Sequence, residues 1–217
     1  MYKYIAKYLL LPKVFRFFGV VVLPSLFIGL VGFFICSYLA LFVLPADATQ
    51  QEIYRILFVH VPAAIFSELI YIFMACCGFI YLVWKTKISA IMLRSAISLG
   101  LVFTLIVLIS GAIWGKPTWG TYWVWDARIT STFILLIQYI GLLALRTSFN
   151  TMQTTDQILS IVAIVGAINI PIIKFSVNWW NTLHQNASIT FSGSSIDAEM
   201  LYVLPLMLIS FGFIAFS

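Results

Sequence analysis

Charge is the scarcest commodity in this chain. Of 217 residues, 12 are Lys or Arg and 7 are Asp or Glu, 9% in all, where soluble domains carry roughly 25%. So few charges cannot cover the surface of a water-soluble domain, and that class is excluded. Cysteine is nearly absent as well. Cys36, Cys76 and Cys77 lie inside apolar runs, with no C-x-x-C pair and no C-x-x-C-H sequence, which excludes a thiol oxidoreductase and a c-type cytochrome. Only two histidines occur. There is no internal repeat at a fixed period and no linker long enough to separate domains, so residues 1–217 read as one polytopic membrane domain.

What is abundant is apolar sequence, 63% of the chain with a mean hydropathy of +1.08. About 20 apolar residues cross a hydrocarbon core of roughly 30 Å as a helix. Six runs approach or exceed that length, at about 17–44, 56–84, 91–113, 129–146, 157–177 and 199–217. They are continuously apolar, without the period-two alternation of a membrane barrel. The expected fold is therefore an all-α integral membrane protein of six transmembrane helices. Pro62 fits the first turn of the second span, where no backbone N–H is needed.

Lys and Arg set the orientation, because short loops rich in them stay on the side of synthesis. Lys3, Lys7, Lys13, Arg16, Lys85, Lys87, Arg94 and Arg146 fall on one side; Arg55, Lys116, Arg128 and Lys174 fall on the other with Asp47, Glu52, Asp126, Asp197 and Glu199. The eight face the cytoplasm or matrix in this reading, with loops 45–58, 114–128 and 178–198 outside. The first apolar run is about twice the length of a signal-peptide core, so it is read as a retained span. A net charge of +5 then matches the anionic inner leaflet of membrane lipid and gives no reason to expect nucleic acid.

Between the third and fourth spans stands "WGKPTWGTYWVWDARIT", residues 114–130, with four Trp and one Tyr in its first twelve positions. An aromatic belt would place Trp at both interfaces. Here Trp114, Trp119, Trp123, Trp125, Trp179 and Trp180 are all on the outer side and only Trp84 is inside. Gly115, Pro117 and Gly120 are expected to break helix continuation, giving an outward-facing Trp-rich loop between helices 3 and 4. Flat aromatic walls at a water interface suit a large planar ligand, and glycine admits close backbone approach. Both histidines, His60 and His184, fall on this same side. Neutral imidazole is a frequent metal ligand, and paired imidazoles hold haem iron from opposite faces. Arg55 and Arg128 are candidates for two propionate carboxylates. Asp126 is placed to cap the fourth span, and Glu68 is the deepest acid.

These residues resemble the WWD-motif haem-handling family of cytochrome c maturation. "YRILFVHVPAAI" and "NIPIIKFSVNWWNTLHQ" are similar to the two histidine segments of its protein C branch, CcmC, and the likeness spans almost the full chain. The resemblance implies His60 and His184 as axial ligands of a transient, non-covalent haem b. It implies a platform of Trp114, Gly115, Trp119, Gly120, Tyr122, Trp123, Trp125 and Asp126. It further implies haem delivery rather than enzyme catalysis, at the outer face of a bacterial inner membrane, or of the mitochondrial one if organelle-encoded. The implied partners are the haem chaperone protein E, the ATP-binding-cassette pair, proteins A and B, and a small membrane protein, D. The competing class is a bis-histidine b-type cytochrome exchanging electrons with quinone. That class normally needs deeper histidines and often a second haem, for which no further His exists.

Overall fold

The computed structural model describes residues 11–180, 182–184, 189–190, 193–194 and 198–217. Lys3, Lys7 and Asp197 lie outside the described residues. Helix α1 is Leu11–Tyr38, prolonged by one wider turn, Leu39–Val43; a short 3-10 stretch, Glu52–Ile56, leads into α2, Leu57–Trp84. Then come α3, Lys87–Trp119; α4, Ala127–Leu145; α5, Met152–Gly166; and α6, Asn169–Trp179. A two-residue antiparallel pair, Ile189–Thr190 with Gly193–Ser194, precedes α7, Ala198–Leu201, and α8, Val203–Phe216.

Among the described residues, five stretches are helical, long and apolar enough to cross a membrane: Pro12–Val43, Glu52–Trp84, Lys87–Trp119, Ala127–Leu145 and Met152–Trp179. The expected sixth is the apolar helix Val203–Phe216. Its 14 residues span about 21 Å at 1.5 Å each, less than the roughly 30 Å of hydrocarbon. The fifth span is α5 and α6 in series. Pro171 has no N–H for the Ala167 carbonyl and crowds it, and the helix gives way there, at Ala167 and Ile168.

Helix α2 is the centre of the bundle, packed against α3, α5 and α8, while α1 lies outside on α8 and α4 bridges α3 and α6. Lipid tails give helices no hydrophobic reason to associate, so close backbone approach through small residues matters more. Gly78 of α2 shows it: a β-carbon there would sit 3.0 Å from Cα of Ser160 on α5. The middle of the core is aromatic and joined across helices. Tyr139 is fully buried, donates its hydroxyl to the Ser67 carbonyl at 2.8 Å and meets Tyr71 edge-on at 5.2 Å.

Two expectations about helix ends are corrected. Pro62 is the sixth residue of α2, not in its first turn, because the helix already begins at Leu57 behind the 3-10 stretch. Likewise Gly115 and Pro117 do not interrupt α3, which runs to Trp119 before Gly120 stops it. Pro117 falls in the last turn, where its missing N–H leaves the Ile113 carbonyl without its helical partner but does not end the helix. Gly120 adopts φ 79°, a left-handed cap whose N–H bonds the Lys116 carbonyl at 3.0 Å. At 33 residues, α3 is about 50 Å long and outruns the hydrocarbon core. Its Trp-bearing terminus is therefore helix, and the true loop shrinks to 120–126.

Candidate functional site

The terminus of α3 builds both halves of the site. Four residues apart on one face, Ser110 and Trp114 meet His60 of α2. Nδ1 of His60 lies 2.9 Å from the Ser110 hydroxyl, and its ring stands edge-on to the Trp114 indole at 5.6 Å. Gly111 is needed beside them, since a β-carbon there would fall 3.1 Å from Cε1 of the imidazole. One turn beyond Trp114, Trp119 stands edge-on to His184 at 4.7 Å. Gly115 makes that possible: a β-carbon would meet the Trp119 ring at 3.0 Å and the Thr121 carbonyl oxygen at 3.3 Å.

Hydrogen bonding decides which ring nitrogen each histidine offers. The single hydroxyl proton of Ser110 is donated to the Ile106 carbonyl at 2.6 Å, so its oxygen accepts from Nδ1–H of His60. On the other side Asp126 uses both carboxylate oxygens. Oδ1 accepts the Ile129 N–H at 2.7 Å, capping α4 as expected, and Oδ2 accepts Nδ1–H of His184 at 2.9 Å. Asp126 itself is buried. With Nδ1 of each ring facing a protein oxygen, the arrangement favours the tautomer whose Nε2 is an unprotonated lone pair, the form a metal takes. Burial pushes the His184 imidazole below its ordinary value of 6.5, Asp126 pulls it back up, and the Arg128 guanidinium adds to the lowering.

The remaining predicted residues divide. Trp123 and Trp125 pack edge-on to each other at 5.3 Å and against Phe133 of α4, at 5.7 and 6.2 Å. The Trp123 indole N–H is buried without a partner among the described residues. Trp125 and Tyr122 are exposed, with the Lys116 ammonium 5.3 Å over the Tyr122 ring. A cleft opens beside Asp126, between α4 and α6, lined by Thr130, Asn169 and Ile172 under Trp125 and Trp180. Arg128, in the first turn of α4, lies next to this cluster and within electrostatic reach of Glu68 and Asp126. Arg55 is engaged elsewhere: its guanidinium donates to the carbonyls of Ala40 and Leu44 and pairs with Glu52, tying the end of α1 to the start of α2.

Sequence reasoning missed Ser110, Gly111 and Gln50, whose side-chain oxygen takes the Trp114 indole N–H at 2.7 Å. A serine in an apolar span carries no signal of its own. Had α3 been extended through the Gly-Lys-Pro stretch, the four-residue spacing of Ser110 and Trp114 would have placed both toward one neighbour.

Two imidazoles, each edge-on to an indole near the end of one long helix, lie in a polytopic helical protein with five stretches long and apolar enough to cross a membrane among the described residues. Comparison with known proteins agrees. The family model described as "Heme exporter protein C" matches residues 5–217. A "Putative cytochrome c biosynthesis ccmC-like mitochondrial protein" of Marchantia polymorpha is 48% identical over 82% of this chain and 75% of its own length. "Heme exporter protein C" of Escherichia coli K12 is 46% identical over 80% and 69%, and that of Bradyrhizobium diazoefficiens 42% over 77% and 64%. The chain belongs to the heme exporter protein C family.

Proposed function

We propose that the protein binds haem b non-covalently between His60 and His184 and presents it at the outer face of the membrane for c-type cytochrome biogenesis. The observation that carries this reading is that Nδ1 of each imidazole faces a protein oxygen, the Ser110 hydroxyl for His60 and the Asp126 carboxylate for His184, an arrangement that favours Nε2 as the metal-binding nitrogen. Among the described residues, no three of His, Cys, Asp and Glu converge into a metal cage. A metal held here by two protein ligands needs the rest of its coordination from its own ligand, as porphyrin supplies. Trp114, Gly115, Trp119, Gly120, Tyr122, Trp123, Trp125 and Asp126 form the platform, and Arg128 is the cation for a propionate, since Arg55 is committed to α1.

Delivery is to the haem chaperone, protein E, with the ATP-binding-cassette proteins A and B and the small membrane protein D as partners; the protein carries haem and is not itself an enzyme. It sits in the inner membrane of a bacterium, or of a mitochondrion if organelle-encoded, as six helices with the platform outside. Edge-on aromatic contacts contribute about 0.5–1.5 kcal/mol each beyond area burial, whereas iron–imidazole bonds are stronger and localised. Trp119→Ala should therefore retain haem yet deliver it to protein E more slowly than wild type, as followed by covalent haem on the chaperone. Delivery at the wild-type rate by Trp119→Ala would remove the platform from the mechanism.

A further inference from the structure

The two imidazoles share a tautomer but not a partner. Behind His184 stands a buried carboxylate, Asp126, itself fixed by the Ile129 N–H at 2.7 Å. Behind His60 stand neutral groups, the Ser110 hydroxyl, whose proton goes to the Ile106 carbonyl, and the Val107 carbonyl, which also takes a hydrogen bond from the ring. An anionic acceptor on Nδ1–H draws that proton further and makes the opposite nitrogen more basic than a neutral acceptor does. Both partners are rigid. Ser110 is mid-helix on α3, with Gly111 leaving the imidazole room to reach it, and Asp126 is the N-cap of α4.

We propose that Ser110 is the positioning residue for His60, and that the hydroxyl-backed His60 is the weaker axial ligand, the one that lets go of iron first when an incoming ligand arrives while carboxylate-backed His184 holds on. This rests on the haem reading above. It gives hand-over a direction: the iron face opened is the one toward α2 and Ser110, and the haem stays attached through the ligand beside Trp119 and the exposed loop 120–126. Ser110 touches neither haem nor acceptor; it acts through the imidazole.

The chain has only two histidines, so nitrogen-15 histidine NMR of the full-length protein in nanodiscs shows two imidazoles, assigned with His60→Gly. In haem-free protein His60 should be the Nδ1–H tautomer. Ser110→Ala should convert a large share of it to the other tautomer, and Ser110→Thr should restore it. Reduced, haem-loaded protein is then exposed to carbon monoxide, which gives a diamagnetic complex. His60 should return to its haem-free position while His184 stays ring-current shifted. Ser110→Ala should tighten carbon monoxide binding by about threefold to tenfold, the range for loss of one neutral hydrogen bond. Release of His184 instead of His60, or a His60 tautomer indifferent to Ser110→Ala, overturns the inference while leaving bis-histidine haem intact. If haem shifts neither histidine, the haem reading itself fails.

Discussion

Asp126 performs two tasks with one carboxylate, and its replacement separates them. Asparagine caps helices nearly as well as aspartate, so Asp126→Asn should leave α4 stable while removing the charge behind His184. Because burial lowers the His184 value and Asp126 raises it, that variant should titrate lower still, in haem-free protein followed by histidine NMR. A group whose folded value is depressed contributes stability present above its ordinary value of 6.5 and lost as pH falls through the folded value. Wild-type His184 should accordingly stay neutral at pH 6.5. A midpoint raised by Asp126→Asn would contradict the arrangement. Asp126→Ala should cost more, about 1 kcal/mol for the cap and up to about a further 1 kcal/mol for a partly buried imidazole N–H left without its acceptor.

At the scale of elements, the central device is the unbroken length of α3, which carries Ser110, Gly111, Trp114 and Trp119 to the two histidines. Gly115→Ala should test that placement, since a β-carbon there meets the Trp119 ring at 3.0 Å. The indole should be displaced from His184, visible as a loss of its ring-current shift, with the helix itself retained because Ala is the better helix former. Much of this was legible in the sequence: five of the six spans by length and hydropathy, each histidine beside a tryptophan of the Trp-rich segment, and Asp126 as a cap. The helix end was not. Gly115, Pro117 and Gly120 look like equal breakers in a sequence, but only Gly120 takes positive φ. The Gly115 environment and the last-turn position of Pro117 are tertiary and positional facts. For the same reason Arg55 reads as a propionate candidate in the sequence, which carries no sign of the Ala40 and Leu44 carbonyls that its guanidinium meets.

For the whole molecule the test is placement in the bilayer. Loops carrying Asp47–Gln51, residues 120–126 and His184 stand at one end of the bundle, and the Lys85–Thr86 and Arg146–Thr151 connections alternate with them along the chain. With six of the ten basic residues among the described ones toward the latter side, and each such residue costing about 2.5–3.5 kcal/mol at mid-bilayer, cysteines placed at Thr118 and Ser194 should label only from outside. Labelling of either from inside would reverse the topology. The most direct measurement remains the absorption spectrum of purified, haem-loaded protein. Wild type should show six-coordinate low-spin haem; His60→Gly and His184→Gly should each lose it and partly regain it with added imidazole; and the double variant should hold little haem. A double variant that kept the wild-type low-spin spectrum would mean that other residues hold the iron.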